Sequence, residues 1–276
     1  MAESTPVNPA ESGVEAQTWF VRKRNAMLAR APMEDLYVDY YLHLAKYHIH
    51  PLPEHDELFK RTLALFVLHC VSRPHNEHIA WTINFPVPRV NIFLVGDNST
   101  GAVVGRIFDE NVKEGATNLF YADVIRGNGE KRRSAVSFES PDPIEGVEKF
   151  YAQSEQRLGR AFQVGEEDFA FVTEHPDCDL PWLKALTAES VGRLAETEDL
   201  GALERRVYRW HCGCNQQRMM EVLAPAMRQD PQDLFGDEPK LEIACPRCAA
   251  RHVITREAME SYLADDGSAG GDQIVD

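Results

Sequence analysis

Three features of this sequence predict an α+β fold that closes in a small cysteine-bearing module. Short β-prone runs follow one another between Ala80 and Phe138, with turn residues between them. Segments with apolar residues at helical spacing flank those runs. Four of the six cysteines stand as two close pairs in the last quarter of the 276-residue chain. A chain of this length holds one medium-sized domain with a satellite, or two small domains, so a hydrophobic core is expected and any metal is accessory to it.

Residues 1–16 are rich in Glu, Ser, Pro and Ala, and are expected as a disordered tail. A sheet-and-helix domain is expected over 17–160. Phe59, Leu63, Phe66, Val67 and Cys70 fall at helical spacing within Glu57 to Ser72, which places Cys70 in the core. Strands are expected at Trp81–Phe85, Val90–Val95, Ala102–Phe108, Leu119–Ile125 and Ala135–Phe138, in a largely antiparallel sheet. After Pro141-Asp142-Pro143 a helix is expected, with Ile144, Val147, Phe150 and Tyr151 on one face. Residues 161–205 carry mixed, weakly amphipathic pieces and are expected as a helical connector. The module of 206–264 reads as a strand into Cys212, a helix near Gln216 to Met227, a strand from Lys240 into Cys245 and a last helix after Thr255; 265–276 is expected as a second disordered tail.

Composition removes several functional classes. A net charge of −15 and a pI near 5.1 oppose a nucleic-acid partner held by phosphate neutralisation, so Arg22-Lys23-Arg24 and Lys131-Arg132-Arg133 are read as solvated surface. No run of about 18 apolar residues is present, so no membrane span is expected. The N-terminal residues resemble neither a secretory nor a transit signal, and a cytoplasmic address is expected. In that reducing compartment cysteines serve as ligands, buried thiols or regulated redox groups.

Cys212 and Cys214 are separated by one residue and Cys245 and Cys248 by two, with thirty residues between the pairs. Two such arms folded together make a four-sulfur tetrahedral site, the arrangement that a structural zinc ion favours. Cys245-Pro246-Arg247-Cys248 has the form of a knuckle that aims backbone N–H groups at sulfur. His211 and His252 lie beside the cysteines, but four thiolates already close the site. Arg206, Arg209, Arg218, Arg247 and Arg251 are near in sequence to offset its negative charge. A catalytic zinc would keep a position for water beside a base, and none is offered, so the chain is not read as an enzyme. The site is then purely structural or a sensor. Thiolates are the form that attacks peroxide, and structural zinc contributes on the order of 10–16 kcal/mol in small zinc peptides, so its loss would melt the module.

With this cysteine spacing goes a second motif, Phe150-Tyr151-Ala152-Gln153-Ser154-Glu155-Gln156, and Leu203-Glu204 leading into Tyr208-Arg209-Trp210-His211-Cys212. Together they resemble the heat shock protein 33 family of redox-regulated, ATP-independent holdase chaperones, over about Gly101 to Leu263. The resemblance implies a reduced, zinc-loaded, inactive form. By the same resemblance, oxidation pairs Cys212 with Cys214 and Cys245 with Cys248, releases zinc, unfolds the module and its connector, favours a homodimer and exposes surface for unfolding client proteins. Gln153, Ser154, Glu155 and Gln156, at a helix end, are expected to satisfy backbone groups and fix an interdomain contact. The rival is a constitutive protein-binding module whose zinc is purely structural; a thiol oxidoreductase ranks third.

Other signals have plainer readings. Gly96 to Gly101 is a turn rather than a phosphate loop. His43, His48, His50 and His55 near Glu54 suggest a second metal, but surface histidines are preferred. Met219, Met220, Met227 and Met259 are core filling before they are a client surface. Cys178, flanked by acids, should be a sluggish thiol.

Overall fold

The computed structural model describes residues 13–127 and 129–268, in two units that divide between His211 and Cys212. The larger unit starts with a hairpin of β1 (Val14–Val21) and β2 (Ala26–Pro32), turning through Asn25, a residue type that tolerates its left-handed backbone. Helices α1 (Glu34–Lys46) and α2 (Pro53–Val71) follow, the second opening on a proline where no N–H is needed. Every α2 residue from Thr62 to Val71 is buried, so this helix is the axis of the core, with Phe59, Leu63, Phe66, Val67 and Cys70 all inside it.

Next come β3 (Glu77–Phe85), β4 (Val90–Asp97), β5 (Ala102–Phe108), β6 (Asn118–Arg126) and β7 (Lys131–Phe138), paired antiparallel in the order β7-β6-β3-β4-β5. Along β3 and β4 buried residues alternate strictly with half-exposed or exposed ones, the period-two pattern that the sequence displayed. Helix α3 (Pro143–Gln153) is capped by the Asp142 carboxylate on the Ile144 N–H and has Pro143 in its first turn. Then follow β8 (Gly159–Gln163), β9 (Asp168–Glu174), three short helices α4 (Leu180–Ala185), α5 (Ala188–Gly192) and α6 (Leu194–Thr197), and β10 (Leu200–Trp210).

The ten strands form one sheet in the order β7-β6-β3-β4-β5-β10-β1-β2-β9-β8. Its centre is a long-range junction: β10 runs antiparallel to β1, from Val14 opposite Tyr208 to Val21 opposite Leu200, and parallel to β5 through Arg209 and Trp210. The main core joins α1, α2 and α3 to the inner side chains of this sheet, with Trp81, Phe120, Phe150 and Tyr151 in edge and stacked contacts. A second cluster beneath α4–α6 contains Leu183, Leu186, Val191 and Leu194.

The stretch 161–205 differs in secondary structure from the helical connector expected there. Only α4–α6 are helical; the rest supplies most of β8, all of β9 and the start of β10. Phe169-Ala170-Phe171-Val172-Thr173 is buried on both faces between β2 and β8, and such a strand has no alternation to reveal it. Likewise β10 carries the larger unit's sheet as far as Trp210, so Arg206 lies within that sheet. Of the expected N-terminal tail, Gly13 precedes β1 and Val14–Ala16 belong to it, and of the expected C-terminal tail 265–268 belong to the last helix; 1–12 and 269–276 lie outside the described residues.

The smaller unit contains α7 (Gln216–Gln229), α8 (Pro231–Phe235), the hairpin β11 (Lys240–Ala244) and β12 (Arg251–Thr255), and α9 (Arg256–Ser268). Met219, Met227 and Met259 are buried with Phe235 and Ile254, which is the filling role expected of them, and Met220 is half-buried. Among the described residues no helix is long and apolar enough to cross a membrane.

Candidate metal centre

Two short arms bring the four cysteines together. The first is Cys212-Gly213-Cys214, whose glycine adopts a left-handed φ of 66° that a side chain would strain. It runs directly into α7, capped by the Asn215 side chain on the Arg218 N–H, while the Arg218 guanidinium donates to the Gly213 carbonyl. The second arm is the β11–β12 turn, closed by the Cys245 N–H on Ala250 O and the Ala249 N–H on Cys245 O. Here the knuckle pattern is present: the Arg247 and Cys248 N–H groups point at Cys245 Sγ, and the Ala250 N–H at Cys248 Sγ.

All four sulfurs lie within 4.8 Å of one another, the one such grouping of three or more His, Cys, Asp or Glu among the described residues. Cys212 Sγ is 3.7 Å from Cys245 Sγ and Cys214 Sγ is 3.5 Å from Cys248 Sγ. Zinc–sulfur bonds of about 2.3 Å in a tetrahedron require sulfur–sulfur edges of about 3.8 Å. The arrangement is therefore the size of a metal-binding tetrahedron. Cys245 and Cys248 are buried, whereas Cys212 and Cys214 are half-buried.

Protonation chemistry points the same way. Hydrogen bonds from Cys212 and then Cys248 pull the Cys245 thiol far down, whereas the Cys248 thiol is pushed far up by its Cys212 and Cys245 neighbours. Burial pushes Cys214 up to about 12, with the Cys212 and Cys245 charges adding to it. Burial at Cys214, and hydrogen bonding among the cysteines followed by burial at Cys248, thus favour the protonated thiols. A bound cation reverses that preference, and the donor set fits one.

Of the arginines expected to offset the charge, Arg218 is at the Cys-Gly-Cys arm. Arg206 is instead bonded to the Glu204 carboxylate and the Cys70 carbonyl, and Arg251 to Glu242. His211 is exposed, whereas His252 Nε2 sits 3.4 Å from Cys214 Sγ. His43 stacks against Tyr47 and Trp210, and buried His55 faces Asp109 at 3.4 Å, so the histidines of that region do not converge on a common point. The Gly96–Gly101 loop is a structural corner: the Asn98 amide donates to the Cys70 and Pro74 carbonyls and accepts from the Tyr208 hydroxyl. Burial raises both the Cys70 and the Cys178 thiol; at Cys178 the flanking acids only add to it.

Gln153-Ser154-Glu155-Gln156 ends α3, with Ser154 as its cap residue and Gln156 in a left-handed conformation. Glu155 bonds Arg73 at 2.9 Å and Arg132 at 3.0 Å, and Arg73 also holds Glu77, whose side chain is wholly buried. Beside them the fully buried Tyr151 hydroxyl lies 2.7 Å from His69 Nδ1. All these partners belong to the larger unit. Arg73, Glu77 and His69 escaped the sequence reading because each is an ordinary-looking residue until the sheet closes over it. The basic clusters are likewise engaged: Arg133 with Asp123, and Arg24 with Asp179 and Glu198.

Comparison with known proteins gives consistent matches. Residues 172–255 match the family model described as Hsp33 protein. The 33 kDa chaperonin of Caldanaerobacter subterraneus subsp. tengcongensis is 29% identical over 70 residues, 25% of this chain and 24% of that protein. The 33 kDa chaperonin of Proteus mirabilis is 27% identical over 71 residues, covering 26% and 24%. The matched stretches thus span about a quarter of the length of these curated relatives. The crystal structure of the 33 kDa chaperonin (heat shock protein 33 homolog) from Thermotoga maritima superposes with a TM-score of 0.68 at 15% identity, over 94% of this chain and 100% of that one.

Proposed function

We propose that the chain is a member of the Hsp33 family, which its matches to that family model and to the 33 kDa chaperonins support, and that it is an ATP-independent holdase chaperone, cytoplasmic, switched on by oxidation of zinc-bound cysteines. The observation that carries the proposal is the convergence of four sulfurs, from arms thirty residues apart, on one tetrahedron-sized volume. Cys212, Cys214, Cys245 and Cys248 would hold the ion, and zinc would keep all four as thiolates while serving no turnover of its own.

The redox step is then the cysteines' own. One thiolate attacks the O–O bond of hydrogen peroxide, releases hydroxide and becomes a sulfenic acid; a neighbouring thiol displaces that oxygen as water and forms a disulfide. Two thiolates, two protons and one peroxide give one disulfide and two waters. We carry over from the family the pairing Cys212–Cys214 and Cys245–Cys248. A sulfur tied in a disulfide is no longer a thiolate ligand, so oxidation removes the cross-link that joins the two arms. The smaller unit has a short core of a few methionines, Phe235 and Ile254, and losing about 10 kcal/mol or more of metal binding would unfold it. Exposed apolar surface would then capture unfolding client proteins, and an oxidised homodimer belongs to the same proposal.

The test treats reduced, zinc-loaded protein with hypochlorous acid, or with peroxide at mildly raised temperature, and follows zinc release and suppression of client aggregation together. Release accompanied by suppression supports the switch. Zinc retained, or lost without suppression, favours a constitutive binding module with structural zinc; reductive turnover of insulin disulfides would point to an oxidoreductase.

A further inference from the structure

The two cysteine arms are not equally provided with hydrogen-bond donors. In Cys245-Pro246-Arg247-Cys248 two residues separate the sulfurs, and the turn supplies backbone N–H groups of Arg247, Cys248 and Ala250 to Cys245 and Cys248. Cys212-Gly213-Cys214 is one residue shorter and lacks the intervening pair with which to make the same turn. Its second sulfur is met instead by a side chain, His252 Nε2, at 3.4 Å.

His252 is held for that contact by the strand it occupies. Along β12 the side chains of Arg251, Val253 and Thr255 are exposed, while His252 and Ile254 turn to the other face, and Ile254 is buried. His252 pairs with Ile243 across the hairpin, and the next carbonyl, that of Val253, accepts from the Gln216 side chain at the start of α7. The ring thus sits between the strand and the arm that carries Cys214.

A thiolate has no proton to give, so a ring nitrogen at this distance can bond it only as a donor, in the tautomer with hydrogen on Nε2. We infer that His252 is a positioning residue of the metal centre: it donates an N–H···S bond to Cys214, supplying the short arm with what the knuckle obtains from its own backbone. The inference rests on the metal-centre reading above and adds a residue to it. A hydrogen bond to a metal-bound thiolate withdraws charge from the sulfur, slows its attack on electrophiles and fixes its direction toward the ion. Outer hydrogen-bond partners of this kind typically change metal affinity by about 10–100-fold.

The experiment compares wild type, His252→Ala and His252→Gln at one fixed pH, each loaded with cobalt(II) for spectroscopy and with zinc for kinetics. The expected result has three parts. The cobalt spectrum of His252→Ala keeps the band pattern of four sulfur ligands; zinc passes to a chromogenic chelator about tenfold faster or more; and alkylation mapped by mass spectrometry rises at Cys214 ahead of the other three cysteines. His252→Gln, which retains an N–H donor, restores part of the difference. A spectrum that loses a nitrogen ligand in His252→Ala would make the ring a direct ligand and overturn the inference. So would unchanged release with unchanged Cys214 labelling. Wild type that binds no cobalt or zinc would sink the metal-centre reading itself, which the spectrum reports separately.

Discussion

Replacing Arg73 by methionine should destabilise the larger unit by about 3 kcal/mol. Arg73 bridges two acids: its Nε is 2.9 Å from wholly buried Glu77, and its Nη1 is 2.9 Å from Glu155, whose side chain is 10% exposed. Methionine fills much of the same volume but leaves two poorly hydrated carboxylates without the cation they share. Breaking a buried pair from one side costs about 3–5 kcal/mol. Here Arg126, 3.4 Å from Glu77, and Arg132, 3.0 Å from Glu155, remain as half-exposed partners, which places the value at the low end. All four tryptophans, Trp19, Trp81, Trp182 and Trp210, precede Cys212, so tryptophan fluorescence during urea unfolding reports on this unit alone. Adding Glu77→Gln to Arg73→Met should recover at least about 1 kcal/mol, because the stranded charge is then gone. The control, Arg193→Ala, breaks an exposed pair with Glu196 and should change stability by less than about 0.5 kcal/mol. A loss below about 1 kcal/mol in Arg73→Met, or strict additivity in the double variant, would refute the assignment of this network as the anchor of the α3 end.

Three further outcomes are expected. Stripping metal with a strong chelator should abolish the far-ultraviolet helical signal of α7 and α9 while leaving the tryptophan emission unchanged, since the smaller unit has little core to fall back on. His69 is fully buried and its proton affinity is driven well below the usual value, by burial first and then by Arg73; the unfolded chain takes up a proton near pH 6.5 that the folded one refuses, so stability falls as pH drops below that point by up to about 1.4 kcal/mol per pH unit, and His69→Phe should flatten this slope in urea titrations. Gly101→Ala should cost about 1–3 kcal/mol, because φ is 70° there and an added methyl would run into the Val207 carbonyl oxygen at the β5–β10 junction; a thermal melt of the variant indistinguishable from wild type would show that the junction yields.

What could be read from the chain alone was whatever depends on neighbours a few residues away. Period-two alternation exposed β3 and β4, helical spacing and flanking prolines exposed α2 and α3, and β11 and α9 begin where their patterns do. The cysteine spacing pointed to a tetrahedral site because a turn of one or two residues can place two sulfurs on one ion whatever surrounds it. Tertiary structure decided the rest, since it depends on residues far apart in the chain. Thr18 bonds Glu204 across 186 positions, and β1 and β10 become the centre of a sheet only through such pairing. β9 was hidden because a strand covered on both faces has no polar side to mark its period. Arg73, Glu77 and Glu155 became a buried network, and His252 a partner of Cys214, only when folding removed water from around them; burial turns an unremarkable charge or ring into one that must be satisfied.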